Sequence, residues 1–425
     1  MRIERFPPGV DGDKPDARTL GWFGAVDFGF LDSGMEPAHT AAFARSYIQD
    51  GRTLWGAYDD ETRPGVWDPS VPVATYATLA NDLNVGGGRM LPTHQITAVT
   101  VRATHRRRGI LRRMMTEDLR WAAANGRAMA ALTASEATIY GRFGFGAATF
   151  AREVEVDVRE RFGLRAHATG TVEVAEPGTL RELAPEVFSR FHARTTGSVG
   201  RQSAYAMRVS GTWGRDKPEL DRGLRAAVYY ADGGAADGYV SYRFAGWDKE
   251  PHTLEVADLV AVTDDAYREL WRYLASVDLV ERVVFSAAAE DDPLPWSMAD
   301  SRGYAVKGAE DVLWLRVLDP VAALAARAWP TDGTCALEVL DPLDIASGRI
   351  RVAAEGGRAT VERLDADAPV DAVVPVDVLG SLFLGGVSAA TLAAAGRLPG
   401  ASEASVELID RMFAMGAPPY CITHF

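Results

Sequence analysis

The amino-acid sequence predicts a mixed α/β protein that contains more than one domain. Segments with strand character and segments with helix character alternate up to about residue 150. A strand–turn–helix pattern at Gln95–Leu119 recurs in a looser form at Leu254–Leu274. The length of 425 residues exceeds what one ordinary hydrophobic core organises, and about two to four domains are expected.

The early strands are recognised from alternating, β-branched residues. Leu54–Asp59 and Val71–Leu79 are predicted strands, and a turn rich in proline and aspartate separates them at Arg63–Ser70. Gly86–Gly88 is predicted to be a loop, and Ile96–Val101 is predicted to be a further strand.

A helix is predicted to follow the last of these strands. Its apolar positions fall on one face at Leu111, Met114, Met115, Leu119 and Ala122. The Asn125-Gly126 pair is predicted to end the helix. The segments beyond it are a buried strand, a short helix or turn, and another strand, at Met129–Thr133, Glu136–Phe143 and Thr149–Val158.

The middle of the chain repeats this pattern. A helix is predicted over Leu180–Phe191, followed by a hairpin made of Leu224–Tyr230 and Gly238–Phe244. Within Leu254–Leu274 a strand again leads into a helix, but the turn between them carries no arginine–glycine sequence. We therefore expect an internal duplication whose second copy has lost its anion-binding turn.

The last region differs again in composition and pattern. An alanine-rich helix is predicted over Val321–Ala328. Three strands, three helices and a tail stiffened by Pro418-Pro419 are predicted to follow, at Cys335–Val339, Gly348–Ala353, Arg358–Leu364, Val376–Phe383, Ala389–Ala395, Val406–Phe413 and Ala417–Phe425.

Composition excludes several classes of function. The formal net charge of -13 and the pI near 5.1 argue against a general nucleic-acid binder and are compatible with a cationic small substrate. No membrane span and no secretory signal are expected. The two cysteines, Cys335 and Cys421, exclude a disulfide framework and a cysteine-rich metal site. We expect a cytoplasmic protein.

The turn Arg106-Arg107-Arg108-Gly109 is the strongest chemical signal in the sequence. It joins a predicted strand to the N-terminus of a predicted helix, where unpaired N–H groups and the helix dipole favour an anion. Gly109 would let a phosphate approach the backbone closely. The turn lacks the Gly-Lys-Ser/Thr ending of a P-loop and the glycine spacing of a dinucleotide fold. A solvated basic turn is the alternative interpretation.

A second motif indicates which kind of anion-binding turn this is. The pattern Arg-Arg-x-Gly-x-Leu resembles the pyrophosphate-binding turn of GNAT acyltransferases, and Thr133–Gly146 follows at the spacing where these enzymes place an acid. Tyr140 would be that acid; the alternative is an ordinary core aromatic. The two stretches together resemble the Eis family of GNAT acetyltransferases, on the residues Leu91-Pro92-Thr93, Val99-Thr100-Val101, Thr104–Gly109, Leu111-Arg112, Ser135-Glu136 and Ile139–Gly144.

The resemblance implies a domain layout. The expected order is a GNAT acetyltransferase domain over 1–152, a second GNAT-like domain without the pyrophosphate turn over 153–313, and a domain similar to sterol carrier proteins over 314–425. The family also implies a homo-oligomer, and specifically a hexamer.

The resemblance implies site residues as well. The backbone of Val99 and Val101 would hold the pantetheine arm of acetyl-CoA and polarise its thioester. Tyr140 would protonate the departing thiolate, and the terminal carboxylate on Phe425 would deprotonate the acceptor amine. The remaining cofactor contacts would come from Thr100, Arg107, Arg108, Gly109, Ile110, Leu111, Arg112, Ser135 and Glu136.

These implications lead to a hypothesis of direct acetyl transfer. An N-acetyltransferase would move the acetyl group to an amine of an aminoglycoside-like or polyamine-like acceptor, or to lysine side chains, in a ternary complex. Cys421 lies close to the terminus and is the one thiol that would challenge direct transfer. The alternative function is a non-catalytic carrier that binds an apolar ligand in the third domain.

The acceptor side of the site is less well defined by the sequence. The segment Trp22–Glu36 would line the acceptor pocket, in which Asp27, Asp32 and Glu36 would hold a cation; solvated surface carboxylates are the alternative. His94 and His105 lack partners at metal-ligand spacing and are interpreted as structural. We expect no metal, no nucleic-acid partner and no membrane partner.

Overall fold

The computed structural model describes residues 1–61, 65–160, 162–214 and 218–425. The chain forms two compact units, and each is assembled from separate stretches of the sequence. Unit 1 comprises Met1–Thr149, Val312–Pro419 and Thr423–Phe425, and unit 2 comprises Phe150–Asp311 and Tyr420–Ile422.

The N-terminal part of unit 1 contains eight strands and four α-helices among the described residues. The strands are β1 (Arg2–Phe6), β2 (Val10–Asp11), β3 (Lys14–Pro15), β4 (Thr53–Tyr58), β5 (Ala74–Asn84), β6 (Met90–Val101), β7 (Met129–Leu132) and β8 (Gly146–Ala147). The helices are α1 (Ala17–Phe30), α2 (Pro37–Gln49), α3 (Ile110–Ala124) and α4 (Ala137–Tyr140). Of the predicted turn at Arg63–Ser70, Arg63 and Pro64 lie outside the described residues.

Strand β6, helix α3 and strand β7 form the β-α-β unit that the sequence predicts. The two strands pair in parallel, from Thr93 opposite Met129 to Ile96 opposite Leu132, because a helical crossover separates them. The apolar stripe of α3 is buried against the sheet at Met114, Met115, Leu119 and Ala122, whereas Leu111 is only partly buried. The helix ends at Asn125 as predicted, and Gly126 follows with φ of 75°.

Helix α1 was not predicted as a helix, because its sequence shows aromatic residues interrupted by glycines. Asp16 caps it by accepting a hydrogen bond from the Thr19 N–H at 2.7 Å. Trp22 and Phe23 are buried in a cluster with Tyr47 of α2. Burial of these large rings outweighs the low helix propensity of glycine.

Unit 2 repeats the arrangement of the first sheet. Its elements are β9 (Phe150–Asp157), β10 (Thr171–Ala175), α5 (Leu180–Arg194), α6 (Ala204–Val209), β11 (Arg225–Tyr230), β12 (Ala236–Phe244), β13 (Thr253–Ala261), α7 (Asp264–Ala275), β14 (Arg282–Ala288), α8 (Leu294–Ser297) and β15 (Tyr304–Asp311). The sheet order is β10-β11-β12-β13-β14-β9-β15. Strands β13 and β14 pair in parallel around α7, as β6 and β7 do around α3.

The remaining elements return to unit 1. They are β16 (Trp314–Val317), α9 (Pro320–Ala326), β17 (Gly333–Leu340), β18 (Gly348–Glu355), β19 (Arg358–Arg363), β20 (Ala372–Pro375), α10 (Val376–Leu382), α11 (Ala389–Ala394) and α12 (Glu403–Phe413). Strand β16 completes the first sheet, whose order is β1-β4-β5-β6-β7-β16-β8. The other strands form a four-stranded sheet in the order β19-β18-β17-β20.

A buried ion pair links the first sheet to the C-terminal part of unit 1. Arg316 of β16 donates to Asp341, which follows β17, over 2.6 Å, and both side chains are fully buried. Within the described ranges, no helix is long and apolar enough to cross a membrane.

Candidate functional site

The free edge of β6 is the first component of the site. Pairing with β7 ends at Ile96, whereas β6 continues to Val101. A β-bulge lies in this continuation, where Ala98 and Val99 both face Tyr76 of β5, and Ala98 has φ of 52°. On the β7 side, no described strand pairs with residues 97–101. The backbone groups of these residues that point away from β5 are therefore available to a ligand.

Two threonines fix the shape of the bulge. The Thr75 hydroxyl donates to the Ala98 carbonyl at 2.8 Å and lies 2.6 Å from the Thr100 hydroxyl. The side chain of Thr100 is buried and is already paired in this way. Thr100 is therefore already engaged with β5, and its contact with the cofactor stays a prediction, as do those of Val99 and Val101.

The arginine turn is the second component. Gly109 is the N-cap of α3 with φ of 76°, and no side chain caps the helix. Arg107 also adopts a left-handed conformation, with φ of 62°. Among the described residues, the exposed guanidinium groups of Arg106, Arg107 and Arg112 have no ion-pair partner, and Arg108 donates to the Thr104 carbonyl at 3.0 Å.

This geometry fits a pyrophosphate. Three unpaired cations surround a helix N-terminus whose first-turn N–H groups are open, and a Cβ placed on Gly109 would meet no atom within 4 Å. Ile110 is buried and Leu111 partly buried, so these two predicted contacts are limited to backbone N–H groups.

A buried network holds α3 against the strands that carry the bulge. Asp118 of α3 accepts hydrogen bonds through one oxygen from the Tyr76 hydroxyl and from Nε2 of His94, each at 2.7 Å. The sequence predicts His94 to be structural, and its partner Asp118 lies 24 positions further along the chain. The other histidine, His105, lies 3.0 Å from the carboxylate of Asp59 and lowers its pKa.

Tyr140 is the third component, at the end of α4. It is buried and packs edge-to-face with Phe145, with 6.4 Å between ring centroids. Burial raises the pKa of the Tyr140 phenol, a hydrogen bond with Ser135 lowers it, and the charge of Glu136 raises it, with a net increase. The phenol thus remains protonated at neutral pH. Ser135 and Glu136 are exposed just before α4.

The last residue of the sequence, Phe425, belongs to the same unit as Tyr140. Thr133, directly after β7, donates a hydrogen bond through its hydroxyl to the backbone oxygen of Phe425 at 2.9 Å. Thr133 lies where β6 and β7 separate, because Leu132 makes the last pair between them. The structure thereby brings Phe425 to the point where β6 and β7 separate, although it is far from both strands in sequence.

The C-terminal end of α1 packs on strand β6 through the side chain of Thr100. Gly29 packs so closely on β6 that an added Cβ would lie 2.5 Å from Cβ of Thr100. Asp27, on the preceding turn, is partly buried and accepts a hydrogen bond from the Met35 N–H at 3.2 Å. Burial raises the pKa of Asp27, the Met35 hydrogen bond lowers it, and Asp32 raises it, with a net increase.

The glycines after Tyr140 have a role that the sequence did not reveal. Gly144 adopts a left-handed conformation, with φ of 82°. A Cβ on Gly146, however, would lie only 1.9 Å from the backbone oxygen of Asp377 in α10. Gly146 therefore permits close packing of α10 on β8.

Comparison with known proteins identifies the class. Two segments, residues 22–148 and 197–317, each match a family model described as an acetyltransferase (GNAT) domain. Residues 320–422 match a sterol carrier protein domain. The predicted fold class, tandem GNAT-like domains followed by a sterol-carrier-like domain, is confirmed. The free strand edge and the arginine turn thus belong to a GNAT acetyltransferase.

Relatives over nearly the whole chain define the family. An uncharacterized N-acetyltransferase of Streptomyces avermitilis is 35% identical and covers 96% of both chains. The N-acetyltransferase Eis of Mycobacterium tuberculosis is 35% identical over 91% of this chain and 95% of its own. The crystal structure of Eis1 from Mycobacterium abscessus superimposes with a TM-score of 0.79 at 30% identity, covering 95% of this chain and 96% of that one. The chain belongs to the Eis family of N-acetyltransferases.

This membership decides between the two functions that the sequence suggested. The protein is an acyltransferase that takes its acetyl group from acetyl-CoA, as predicted, and the carrier alternative for the chain as a whole is set aside. A GCN5-related N-acetyltransferase from Anabaena variabilis shares the fold along the full length of both chains, with a TM-score of 0.79 at 17% identity.

Proposed function

We propose that this enzyme acetylates an amine of a cationic acceptor by direct transfer in a ternary complex. The observation that carries the proposal is the hydrogen bond from Thr133 to Phe425 at the point where β6 and β7 separate. It supports the proposal because a carboxyl group next to the strands that would hold the acetyl donor could act on an acceptor amine. The donor side would be held by Arg107–Arg112 and by the backbone of Val99–Val101.

Each residue then has a definite role. Acetyl-CoA supplies the acetyl group. The carboxylate of Phe425 removes a proton from the acceptor amine as its nitrogen forms a bond to the acetyl carbon. Tyr140 gives its phenolic proton to the sulfur as the carbon–sulfur bond breaks. The backbone N–H groups at the β6 edge orient the thioester and stabilise charge on its oxygen. The proton balance is closed when solvent takes the proton from Phe425 and returns one to Tyr140.

The preference for a cationic acceptor rests on Asp27. It lies near the C-terminal end of α1, where the helix dipole favours positive charge, and α1 is packed on β6 through Gly29. Asp32, just beyond the helix, adds a second negative charge. Polyamine-like, aminoglycoside-like and lysine-containing acceptors all present such a cation. The proposal also includes the three domains at 1–152, 153–313 and 314–425, a cytoplasmic location and a hexamer, whose size sedimentation analysis would measure.

An acceptor screen tests this proposal. Acetyl-CoA is incubated with a polyamine, an aminoglycoside, a lysine peptide or a neutral aromatic amine, and the released thiol is measured. We expect turnover of at least one cationic acceptor, and we expect Asp27→Asn to raise the KM for that acceptor about tenfold without changing the KM for acetyl-CoA. Asp11→Asn, at an exposed position of β2, is the matched control. Equal turnover of the neutral amine would contradict the proposal.

A further inference from the structure

The tail of the chain contributes residues to the core of unit 2. The backbone N–H of Tyr420 donates to the Thr196 carbonyl at 2.8 Å, and its hydroxyl donates to the carbonyl of Ala287. The Tyr420 ring packs edge-to-face on Phe191 of α5, with 6.0 Å between centroids. Ile422 is buried in the cluster formed by α5 and the inner face of the sheet. The segment Tyr420–Ile422 is therefore held at both ends.

Tyr420 lies where β13 and β14 diverge. The parallel pairing between these strands ends with Glu255 opposite Val284, although β13 continues to Ala261 and β14 to Ala288. Ala287, whose carbonyl accepts from Tyr420, lies beyond the last pair. By topology this divergence corresponds to the one between β6 and β7 in unit 1. The tail thus fills the place in unit 2 that matches the predicted cofactor cleft of unit 1.

The same place in unit 2 is unsuited to an anionic cofactor. Thr263 caps helix α7: its side chain accepts a hydrogen bond from the Ala266 N–H at 3.1 Å, so one of the first-turn donors is already used. Asp264 and Asp265 add two negative charges to the first turn. Helix α3, in contrast, has an uncapped start, no acidic residue in its first turn and unpaired arginines beside it. A pyrophosphate would be repelled from α7 and attracted to α3.

Buried acidic groups near Tyr420 keep its hydroxyl a donor. Asp258 of β13 is buried and paired with Arg201 over 2.7 Å, and it accepts from the Tyr239 hydroxyl at 2.6 Å. Asp292 accepts from the hydroxyls of Tyr267 and Tyr304, each at 2.8 Å. Burial and then the charges of Asp292 and Asp258 raise the pKa of Tyr420 well above its ordinary value. The phenol stays protonated and able to donate to Ala287.

We propose that the diverging strands of the second GNAT-like domain are a binding cleft for the tail of the chain, and that Tyr420 and Ile422 are positioning residues for the carboxylate of Phe425. This inference rests on the proposed function for the role of that carboxylate. It gives the second domain a task that requires no cofactor. The carboxylate is attached three residues beyond Ile422, so movement of the anchor moves the base.

Full-length variants test the proposal. In Tyr420→Ala we expect the amides of the tail to exchange with deuterium at least about tenfold faster than in the unsubstituted protein. We expect kcat to fall by up to about 100-fold because the base is displaced, with the KM for acetyl-CoA within about twofold, since the donor site is intact. Tyr420→Phe keeps the ring and should recover most of kcat. If Tyr420 had only a structural role, Tyr420→Ala would lower the affinity for acetyl-CoA together with kcat.

Hydrogen exchange in the unsubstituted protein tests the proposal even if the variants fail to fold. If the Tyr420 amide exchanges as fast as in a free peptide, or if Tyr420→Ala keeps the full kcat, the tail-cleft proposal is wrong. The proposed base is tested separately by adding one glycine after Phe425. An unchanged kcat there would refute the base but leave the protection of the Tyr420 amide as evidence for the cleft. If the glycine-extended variant is slow while Tyr420→Ala keeps full activity, the role of Tyr420 as a positioning residue is wrong, but the role of Phe425 as the base still stands.

Discussion

Thr133 and Phe425 are joined by a hydrogen bond of 2.9 Å although 292 positions separate them in the sequence. The bond connects the residue that follows β7 to the last residue of the sequence, at the point where the central strands of the first sheet part. The proposed role of the Phe425 carboxylate as a base depends on this contact.

Loss of the Thr133 hydroxyl should slow catalysis while donor binding is retained. A hydrogen bond to a charged group contributes about 1.5–3 kcal/mol, so we expect Thr133→Ala to lower kcat roughly tenfold to 100-fold. Thr133→Ser keeps the hydroxyl and is the matched control, with kcat expected within about threefold of the original. Steady-state kinetics at saturating acetyl-CoA measures both. Equal kcat values for the two variants would show that the bond is unimportant.

The raised pKa of Tyr140 makes a prediction about pH. A general acid must be protonated, and its activity is lost as pH rises through its pKa. Because burial raises the pKa of Tyr140 above the ordinary value of about 10, the basic limb of kcat should lie above about pH 10. The charge of Glu136 contributes to the increase, so Glu136→Gln should move the limb to lower pH.

Tyr140→Phe checks that this limb belongs to Tyr140. We expect kcat at neutral pH to fall about 100-fold to 10,000-fold. Tyr230→Phe, a change at a strand end in unit 2, should leave kcat unaltered. The general acid is a different residue if the basic limb of kcat does not move in Glu136→Gln and Tyr140→Phe keeps full activity.

The arginine turn should control donor affinity in a salt-dependent way. Arg107→Ala and Arg112→Ala each remove one unpaired cation, and we expect each to raise the KM for acetyl-CoA about fivefold to tenfold at low ionic strength. The effect should shrink as salt is added, because the groups are exposed. Arg120→Ala, also exposed but further along α3, is the control. Similar KM values for all three variants would move the phosphate site away from the turn.

A pair of glycines offers a stability test of the packing beside Tyr140. Gly146→Ala would place a Cβ 1.9 Å from the backbone oxygen of Asp377, and we expect it to destabilise the protein by about 1–3 kcal/mol. Gly141→Ala meets no atom within 4 Å and has an ordinary negative φ, so its melting temperature should stay close to the original. If Gly146→Ala melted like Gly141→Ala, α10 would not be packed on β8 as described.

The sequence was sufficient for the elements that have a local signal. The period of the α3 stripe, the β-branched residues of β6 and the Arg-Arg-x-Gly turn are all encoded within a short window, and the structure contains all three. Strand β6 ends at Val101 as predicted but begins at Met90 and not at Ile96. The parallel pairing of β6 with β7 follows from the helix between them.

Features that depend on distant partners were not predictable. Helix α1 has three glycines, and its stability comes from rings packed against α2 and β4. The pairing of Asp118 with His94 and Tyr76 joins three elements that no spacing rule connects. The close approach of α10 to Gly146 and the contacts of Tyr420 involve partners more than a hundred residues away. Tertiary packing decides such features, and a single sequence carries no record of it.

The most direct test of the account moves the carboxylate and leaves the rest of the site intact. One glycine is added after Phe425, and kcat is measured at saturating acetyl-CoA beside Phe425→Leu, which keeps the carboxylate in place. We predict that the extended chain loses kcat at least about 100-fold with its KM for acetyl-CoA unchanged, and that Phe425→Leu stays within about tenfold. Full turnover by the extended chain would contradict the assignment of Phe425 as the base.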